Sequence, residues 1–99
     1  MRMATKDDAL NRTLQVIADP TRRRILAALK TRGPSANVKG LCASDIEARM
    51  RLSQPTISHH MAVLEEAGLI RSAKQGQFRW YVRNESGIRD FLKALKQAL

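Results

Sequence analysis

Apolar positions with helical spacing are clearest in the middle of the chain. Three of them recur at i, i+4 and i+7 on one helical face: Ile57, Met61 and Leu64. Ser53 is a favourable N-cap, Pro55 suits a first turn where no N–H is needed, and Gly68 suits the position after a last turn. This pattern predicts a helix over residues 54–67.

The opposite face of this helix carries short, uncharged, hydrogen-bonding side chains: Gln54, Thr56, Ser58 and His59. A face that is merely solvated usually carries Lys and Glu, whereas these residue types suit the base edges of a DNA major groove. We therefore interpret the helix as a recognition helix and these four residues as candidate DNA contacts. His60 lies nearer the apolar edge, and we interpret it as a packed or capping histidine.

Two helices are predicted before this region. Apolar spacing predicts them over residues 6–18 and 20–32, and Asp19, which precedes a proline, is the expected N-cap of the second. Gly33-Pro34 is expected to stop that helix, and residues 35–41 are expected to form a loop.

A third, short helix is predicted over residues 45–51, because Ser44 and Glu47 have the spacing of a capping box. A tight turn separates this helix from the recognition helix, which is the layout of a helix-turn-helix. Arg49 and Arg51 flank that turn, and we expect them to hold backbone phosphates.

Alternating β-branched and aromatic residues predict a β-hairpin over residues 69–83, with its turn at Gln75-Gly76. A last helix is predicted over residues 87–98, capped by Asn84 or Ser86. Its apolar stripe consists of Ile88, Phe91, Leu92, Leu95 and Leu99. The predicted fold is mainly α with a β-hairpin: a single winged helix-turn-helix domain over residues 1–99, in the order α-α-α-α-β-β-α.

The predicted hairpin, or wing, has polar residues at and beside its tip. Lys74, Gln77 and Arg79 are candidate contacts to phosphate or the minor groove, and the alternative is a hairpin that is only solvated. Trp80 and Tyr81 alternate along a strand, so one of them should pack on the core.

Composition supports a polyanionic partner. The 99 residues include 18 Lys and Arg against 9 Asp and Glu, a net charge of +9, which points to nucleic acid more than to a protein that is simply basic. The single cysteine allows no internal disulfide and favours a reducing compartment. No apolar run approaches the roughly 18 residues of a membrane span, and the N-terminus lacks the apolar core of a secretory signal. We therefore expect a cytoplasmic protein with no membrane partner.

Three segments resemble the ArsR/SmtB family of bacterial winged-helix repressors: ADPTRRRIL at residues 18–26, LSQPTISHHMAVLEEAGLI at residues 52–70, and RWYV at residues 79–82. The resemblance covers residues 10–99. It implies a homodimer whose two recognition helices enter successive major grooves of a near-palindromic operator, and a repressor that releases DNA when an effector binds. It also implies that the first and last helices form the dimer interface, through Leu10, Leu14, Ile88, Phe91, Leu92 and Leu95.

The metal sites that the resemblance brings with it are incomplete here. Cys42 matches the first thiol of the arsenic-sensing pair, but Ser44 stands where the second thiol would be, and one thiolate does not make a site for a thiophilic metal. The other family site uses Asp and His pairs on the last helix, which has Asp90 but no histidine. We expect no metal and no cofactor. Cys42 is interpreted as a small packing residue, and a redox role through a pair between subunits is the alternative.

We conclude that the sequence predicts a sequence-specific, dimeric, DNA-binding transcriptional repressor without catalytic residues, controlled by an effector other than a metal or by none. No Ser-His-Asp set, phosphate loop or carboxylate pair indicates an enzyme. The alternative is a winged-helix module that binds another protein, for example as an antitoxin-like partner.

Overall fold

The computed structural model describes residues 6–30 and 40–99. Within these residues there are five helices and three strands: α1 Lys6–Ala18, α2 Pro20–Ala28, β1 Leu41–Cys42, α3 Ala43–Met50, α4 Gln54–Glu66, β2 Ile70–Gln75, β3 Phe78–Arg83 and α5 Glu85–Ala98. The strands form an antiparallel sheet in the order β1-β3-β2. This is the predicted helix-turn-helix followed by a wing, with one strand more than the sequence pattern indicated.

That additional strand, β1, lies at the end of the segment predicted as a loop. Leu41 pairs with Tyr81 and Cys42 with Trp80. Two residues are too few to show the alternation that predicts a strand in a sequence. The strand forms because β3 offers it a hydrogen-bonding edge. The prediction of α2 to residue 32 was too long, since Leu29 is its C-cap. The predicted stop at Gly33-Pro34 and most of the predicted loop lie outside the described residues.

The start of α3 differs from the prediction. Cys42, not Ser44, occupies the N-cap position, and Asp45, not Glu47, is the third helical residue. The Asp45 carboxylate accepts a hydrogen bond from the Cys42 backbone N–H at 3.1 Å, which satisfies a donor at the helix start. The helix therefore begins at Ala43, two residues earlier than expected.

The wing and α5 also shift by a residue or two. Gln75 pairs with Phe78, so the hairpin turn is Gly76-Gln77 and not Gln75-Gly76. Of the two candidate caps, Asn84 is the N-cap of α5, because its side chain accepts from the Gly87 N–H at 3.3 Å. As a result α5 begins at Glu85 and not at residue 87.

The core lies between α4, the helices before it and the base of the sheet. Its fully buried side chains are Ile25, Ile46, Ile57, Met61, Leu64, Leu69 and Ile70. The apolar face predicted for α4 is thus the face that packs inward. Tyr81 is buried and Trp80 is only half-buried, which confirms the predicted alternation along β3.

The recognition helix ends in a Schellman motif. The Gly68 N–H donates to Glu65 O at 2.9 Å, and the Leu69 N–H donates to Leu64 O at 3.0 Å. Gly68 has a φ of +79°, a left-handed conformation that costs glycine little. The motif turns the chain from the end of α4 directly into Ile70, the first residue of the wing.

The start of α5 packs against this same turn. The Asn84 side-chain Nδ2 donates to Gly68 O at 2.8 Å, and the Asn84 backbone N–H donates to Leu69 O at 2.9 Å. A Cβ on Gly87 would lie 2.1 Å from Gly68 O, so only glycine allows the helix to approach this closely. We call Gly68, Leu69, Asn84 and Gly87 the hinge junction.

We predict that Gly87→Ala destabilises the protein by about 1–3 kcal/mol, because the added methyl forces α5 away from the hinge junction. In an open helix the same change would stabilise by about 1 kcal/mol, so the sign is diagnostic. Urea unfolding of the variant measures the difference. Lys93→Ala, at an exposed position of the same helix, should shift stability by no more than about 0.5 kcal/mol. A stabilised Gly87→Ala protein would contradict the close approach.

Candidate nucleic-acid interface

The polar face of α4 is turned to solvent. Its members are all exposed: Gln54, Thr56, Ser58 and His59. Ile57, which lies among them in sequence, is fully buried, so the helix is held by one face and presents the other. Thr56 Oγ1 lies 2.9 Å from Ser53 Oγ in a hydrogen bond, which ties the side chain at the N-cap position to the first turn of the exposed face.

The turn between α3 and α4 is short because Arg51 adopts the left-handed conformation, with φ of 57° and ψ of 39°. Its side chain is exposed. Arg49 is exposed as well, and its guanidinium donates to Ala28 O at 3.3 Å, which attaches α3 to the end of α2. Arg49 therefore has a structural contact, while Arg51 lies at the corner of the helix-turn-helix.

His60 anchors the recognition helix to the start of α2. Its Nδ1 accepts from Arg22 Nε at 3.2 Å, while Arg22 Nη1 donates to Val16 O at 3.2 Å. Arg23 Nη1 donates to Ile17 O and Ala18 O at 2.6 and 3.0 Å. The two arginines thereby satisfy carbonyls that the end of α1 leaves without helical partners. The packed role predicted for His60 is confirmed, but its partner, 38 residues away, has no local signal in the sequence.

Asp19 completes this anchor. Its carboxylate accepts from the Thr21 and Arg22 backbone N–H groups at 2.7 and 3.2 Å, as the predicted N-cap of α2. Desolvation raises the pKa of this carboxyl, but the two backbone hydrogen bonds, together with the nearby His60 and Arg22, lower it by more than desolvation raises it. The net result is a pKa below the usual 3.8.

The tip of the wing is exposed from residue 73 to residue 79, a range that includes the candidate contacts Lys74, Gln77 and Arg79. Lys74 and Gln77 have free access to solvent at this tip, but Arg79 is engaged. Its Nη1 donates to Ser72 Oγ at 2.9 Å, and that hydroxyl donates to the Glu65 carboxylate at 2.7 Å. No local sequence pattern reveals this connection, because it depends on the pairing register of the hairpin.

Cys42 is buried, and its thiol is enclosed by the start of α3. Cys42 Sγ lies 3.0 Å from Ser44 Oγ and donates to Asp45 Oδ2 at 3.2 Å. Across residues 6–30 and 40–99, no three His, Cys, Asp or Glu side chains form a group that could hold a metal ion. In the same residues, no helix has the length and hydropathy needed to cross a membrane.

The apolar stripe of α5 is incompletely covered. No residue of this helix is fully buried, and Leu92 is 54% exposed. Ile88, Phe91 and Leu95 are half-buried, as is Leu14 on α1, whereas Leu10 is already buried within the chain. The α1–α5 side of the molecule therefore retains several apolar side chains that are only partly covered.

A helix-turn-helix with an exposed polar second helix and a following β-hairpin defines the winged helix-turn-helix class. A family model described as "Bacterial regulatory protein, arsR family" matches residues 19–72. The chain is 36% identical over 81 residues to the transcriptional repressor SdpR of Bacillus subtilis, a match that covers 82% of each protein. It is 33% identical over 86 residues to an arsenical resistance operon repressor of Staphylococcus aureus, covering 87% of this chain and 76% of that protein.

The fold agrees with a solved structure from Mycobacterium bovis, described as a homodimeric winged helix-turn-helix DNA-binding domain. It matches with a TM-score of 0.71 at 19% identity, covering 99% of this chain and 90% of that one. The chain belongs to the ArsR family. It is a transcriptional regulator and not an enzyme, which confirms the predicted class.

We predict that the Asp19 cap makes part of the stability depend on acid pH. Because its folded pKa is lowered, its contribution is complete above the usual value of 3.8 and is lost as pH falls through the folded pKa. Urea unfolding from pH 7 down to about pH 3 should show wild type losing stability relative to Asp19→Asn, which keeps a capping oxygen but has no proton to gain. A difference between these two proteins that does not change with pH would refute the role of the Asp19 charge.

Proposed function

We propose that this regulator is a cytoplasmic repressor. It binds, as a homodimer, a near-palindromic operator upstream of its own gene. The observation that carries the proposal is the orientation of α4. Its apolar residues Ile57 and Met61 are buried, while all four candidate base contacts are exposed: Gln54, Thr56, Ser58 and His59. The names of its relatives as repressors and its net charge of +9 support the same conclusion.

Different residues serve specificity and affinity in this proposal. Gln54, Thr56, Ser58 and His59 read base edges in the major groove, where each good contact discriminates by about 1–3 kcal/mol. Arg51, Lys74, Gln77 and Arg79 contact the backbone or the minor groove and fix the register. Because phosphate contacts release counterions, binding weakens steeply as salt concentration rises.

A second copy of the chain covers the apolar surface of α1 and α5. The 54% exposure of Leu92 and the absence of any fully buried residue in α5 support this assignment, and the Mycobacterium bovis structure of the same fold is described as homodimeric. In such a dimer the two α4 helices would meet half-sites about one helical turn of DNA apart.

The effector is not a thiophilic metal bound at Cys42 in this proposal. The neighbouring side chains are Ser44 and Asp45, and a thiophilic metal needs two or three thiolates. An organic molecule, an oxidant or a partner protein would then control release from DNA, or repression would depend on protein concentration alone.

Fluorescence anisotropy with the duplex upstream of the gene, compared with a random duplex, tests the proposal at several salt concentrations. Titrations are repeated with zinc, cadmium, arsenite and peroxide. Specific binding that ignores the metals supports the proposal, and release by one metal contradicts the reading of Cys42. If the protein shows no salt-sensitive DNA binding and a pulldown recovers a stoichiometric protein partner, the protein-interaction module is favoured instead.

We predict that His59→Ala weakens operator binding by about 1–3 kcal/mol and random-duplex binding far less, because a base contact is lost. Arg79→Ala should weaken binding to the operator and to the random duplex to a similar degree, because a backbone contact carries no sequence information. Anisotropy titrations of both proteins measure the two losses. Gln97→Ala, at an exposed position of α5, serves as the control. Equal losses on both duplexes for His59→Ala would remove it from the base-reading surface.

We also predict that Leu92→Asp yields monomers that no longer bind the operator, because a carboxylate would be buried in the dimer interface. Gln97→Asp changes the net charge equally on the same helix and should leave the dimer intact. Sedimentation equilibrium and anisotropy on the same samples compare the two variants. Monomeric Leu92→Asp that binds the operator as tightly as wild type would separate dimerisation from DNA binding.

A further inference from the structure

Three polar side chains connect the end of the recognition helix to the wing. Ser72 Oγ donates to the Glu65 carboxylate, with distances of 2.7 and 2.9 Å to its two oxygens, and accepts from Arg79 Nη1 at 2.9 Å. A serine hydroxyl has one hydrogen and two lone pairs. The carboxylate takes the hydrogen and leaves a lone pair for the guanidinium, so each partner fixes the direction in which the other is bound.

The pairing register explains why these residues meet. Ser72 pairs with Tyr81 and Lys74 pairs with Arg79, so Ser72 and Arg79 are diagonal neighbours on one face of the hairpin. This is the face that carries the buried Tyr81. Burial raises the pKa of Tyr81, the charge of Arg79 lowers it, and the charge of Glu65 raises it.

The network stands at the boundary between the packed and the exposed parts of the wing. Ile70 is fully buried and Ser72 is half-buried, while residues 73–79 are all exposed. A two-stranded ribbon without packing bends and twists easily. A fixed link at this boundary therefore sets the angle at which the tip leaves the body of the protein.

We propose that Glu65 and Ser72 are positioning residues that hold Arg79 and the wing tip at a set angle to the recognition helix. The helix and the wing then meet DNA as one unit, with Arg79 placed for a phosphate before binding. The DNA step rests on the proposed function, whereas the positioning of the tip does not. Neither Glu65 nor Ser72 need touch DNA.

The first test uses the protein without DNA. Backbone ¹⁵N order parameters of residues 74–79 are expected to fall toward about 0.6 in Ser72→Ala and Glu65→Ala. Glu66→Ala is the matched control, since it removes the same charge from the next position of α4 and should leave the tip as rigid as in wild type. An unchanged tip in Ser72→Ala would overturn the proposal whatever the protein binds.

The second test measures operator binding. Ser72→Ala should weaken it about five-fold and should add little further loss in an Arg79→Ala background, because both changes remove the same placed contact. The slope of log affinity against log salt should fall by about 0.9 in either single variant, as for one lost phosphate contact. Glu65→Ala should bind more weakly than Glu66→Ala, although both remove one negative charge.

The outcomes of the second test distinguish failure of the positioning role from failure of the proposed DNA-binding function. Tighter binding by Ser72→Ala would show that the network holds Arg79 back from DNA, which contradicts positioning. Full additivity with Arg79→Ala would contradict it as well. Wild-type protein without salt-dependent binding would refute the DNA function and the DNA step, while the order parameters would still decide whether Glu65 and Ser72 fix the tip.

Discussion

The close contact at the hinge junction is the constraint on which the other parts depend. One carbonyl, Gly68 O, accepts from Asn84 Nδ2 at 2.8 Å and faces Gly87, while the Gly68 N–H closes the end of α4. A few backbone atoms of Gly68 and Leu69 therefore contact three elements: the recognition helix, the first strand of the wing and the start of α5. A displacement of α5 cannot leave the direction of α4 or of the wing unchanged, because close-packed elements rearrange together.

Positive charge serves two purposes in this chain. Arg22 and Arg23 bind carbonyls at the end of α1, and Arg49 binds Ala28 O, so these cations hold helices in place. Arg51 and Lys74 are exposed at the helix-turn-helix corner and the wing tip. Of the 18 Lys and Arg residues, Arg22, Arg23 and Arg49 are thus held against backbone carbonyls and are not freely available to a phosphate backbone. Each partnered arginine has fewer N–H donors left for a phosphate.

The sequence predicted what depends on local periodicity and local capping. The buried face of α4 and the alternation of Trp80 with Tyr81 follow from spacing, and the Asp19 cap follows from an aspartate directly before a proline. Contacts between distant segments did not follow. β1 has two residues and forms only against β3, and the partner of His60 is 38 residues away. At the start of α3, Ser44 has the stronger intrinsic capping preference, but pairing of Cys42 with β3 fixed the helix start earlier.

The position of Cys42 gives the protein a built-in chemical reporter. Its thiol is buried, donates a hydrogen bond to the Asp45 carboxylate, and lies where β1 is followed by α3. A thiol-specific reagent can reach this sulfur only when that segment opens, so the labelling rate follows the opening equilibrium of the first half of the helix-turn-helix. Because the sequence has one cysteine, no second thiol confuses the signal. Slower labelling in the presence of DNA would then measure how strongly DNA bound at α4 stabilises α3 against local opening.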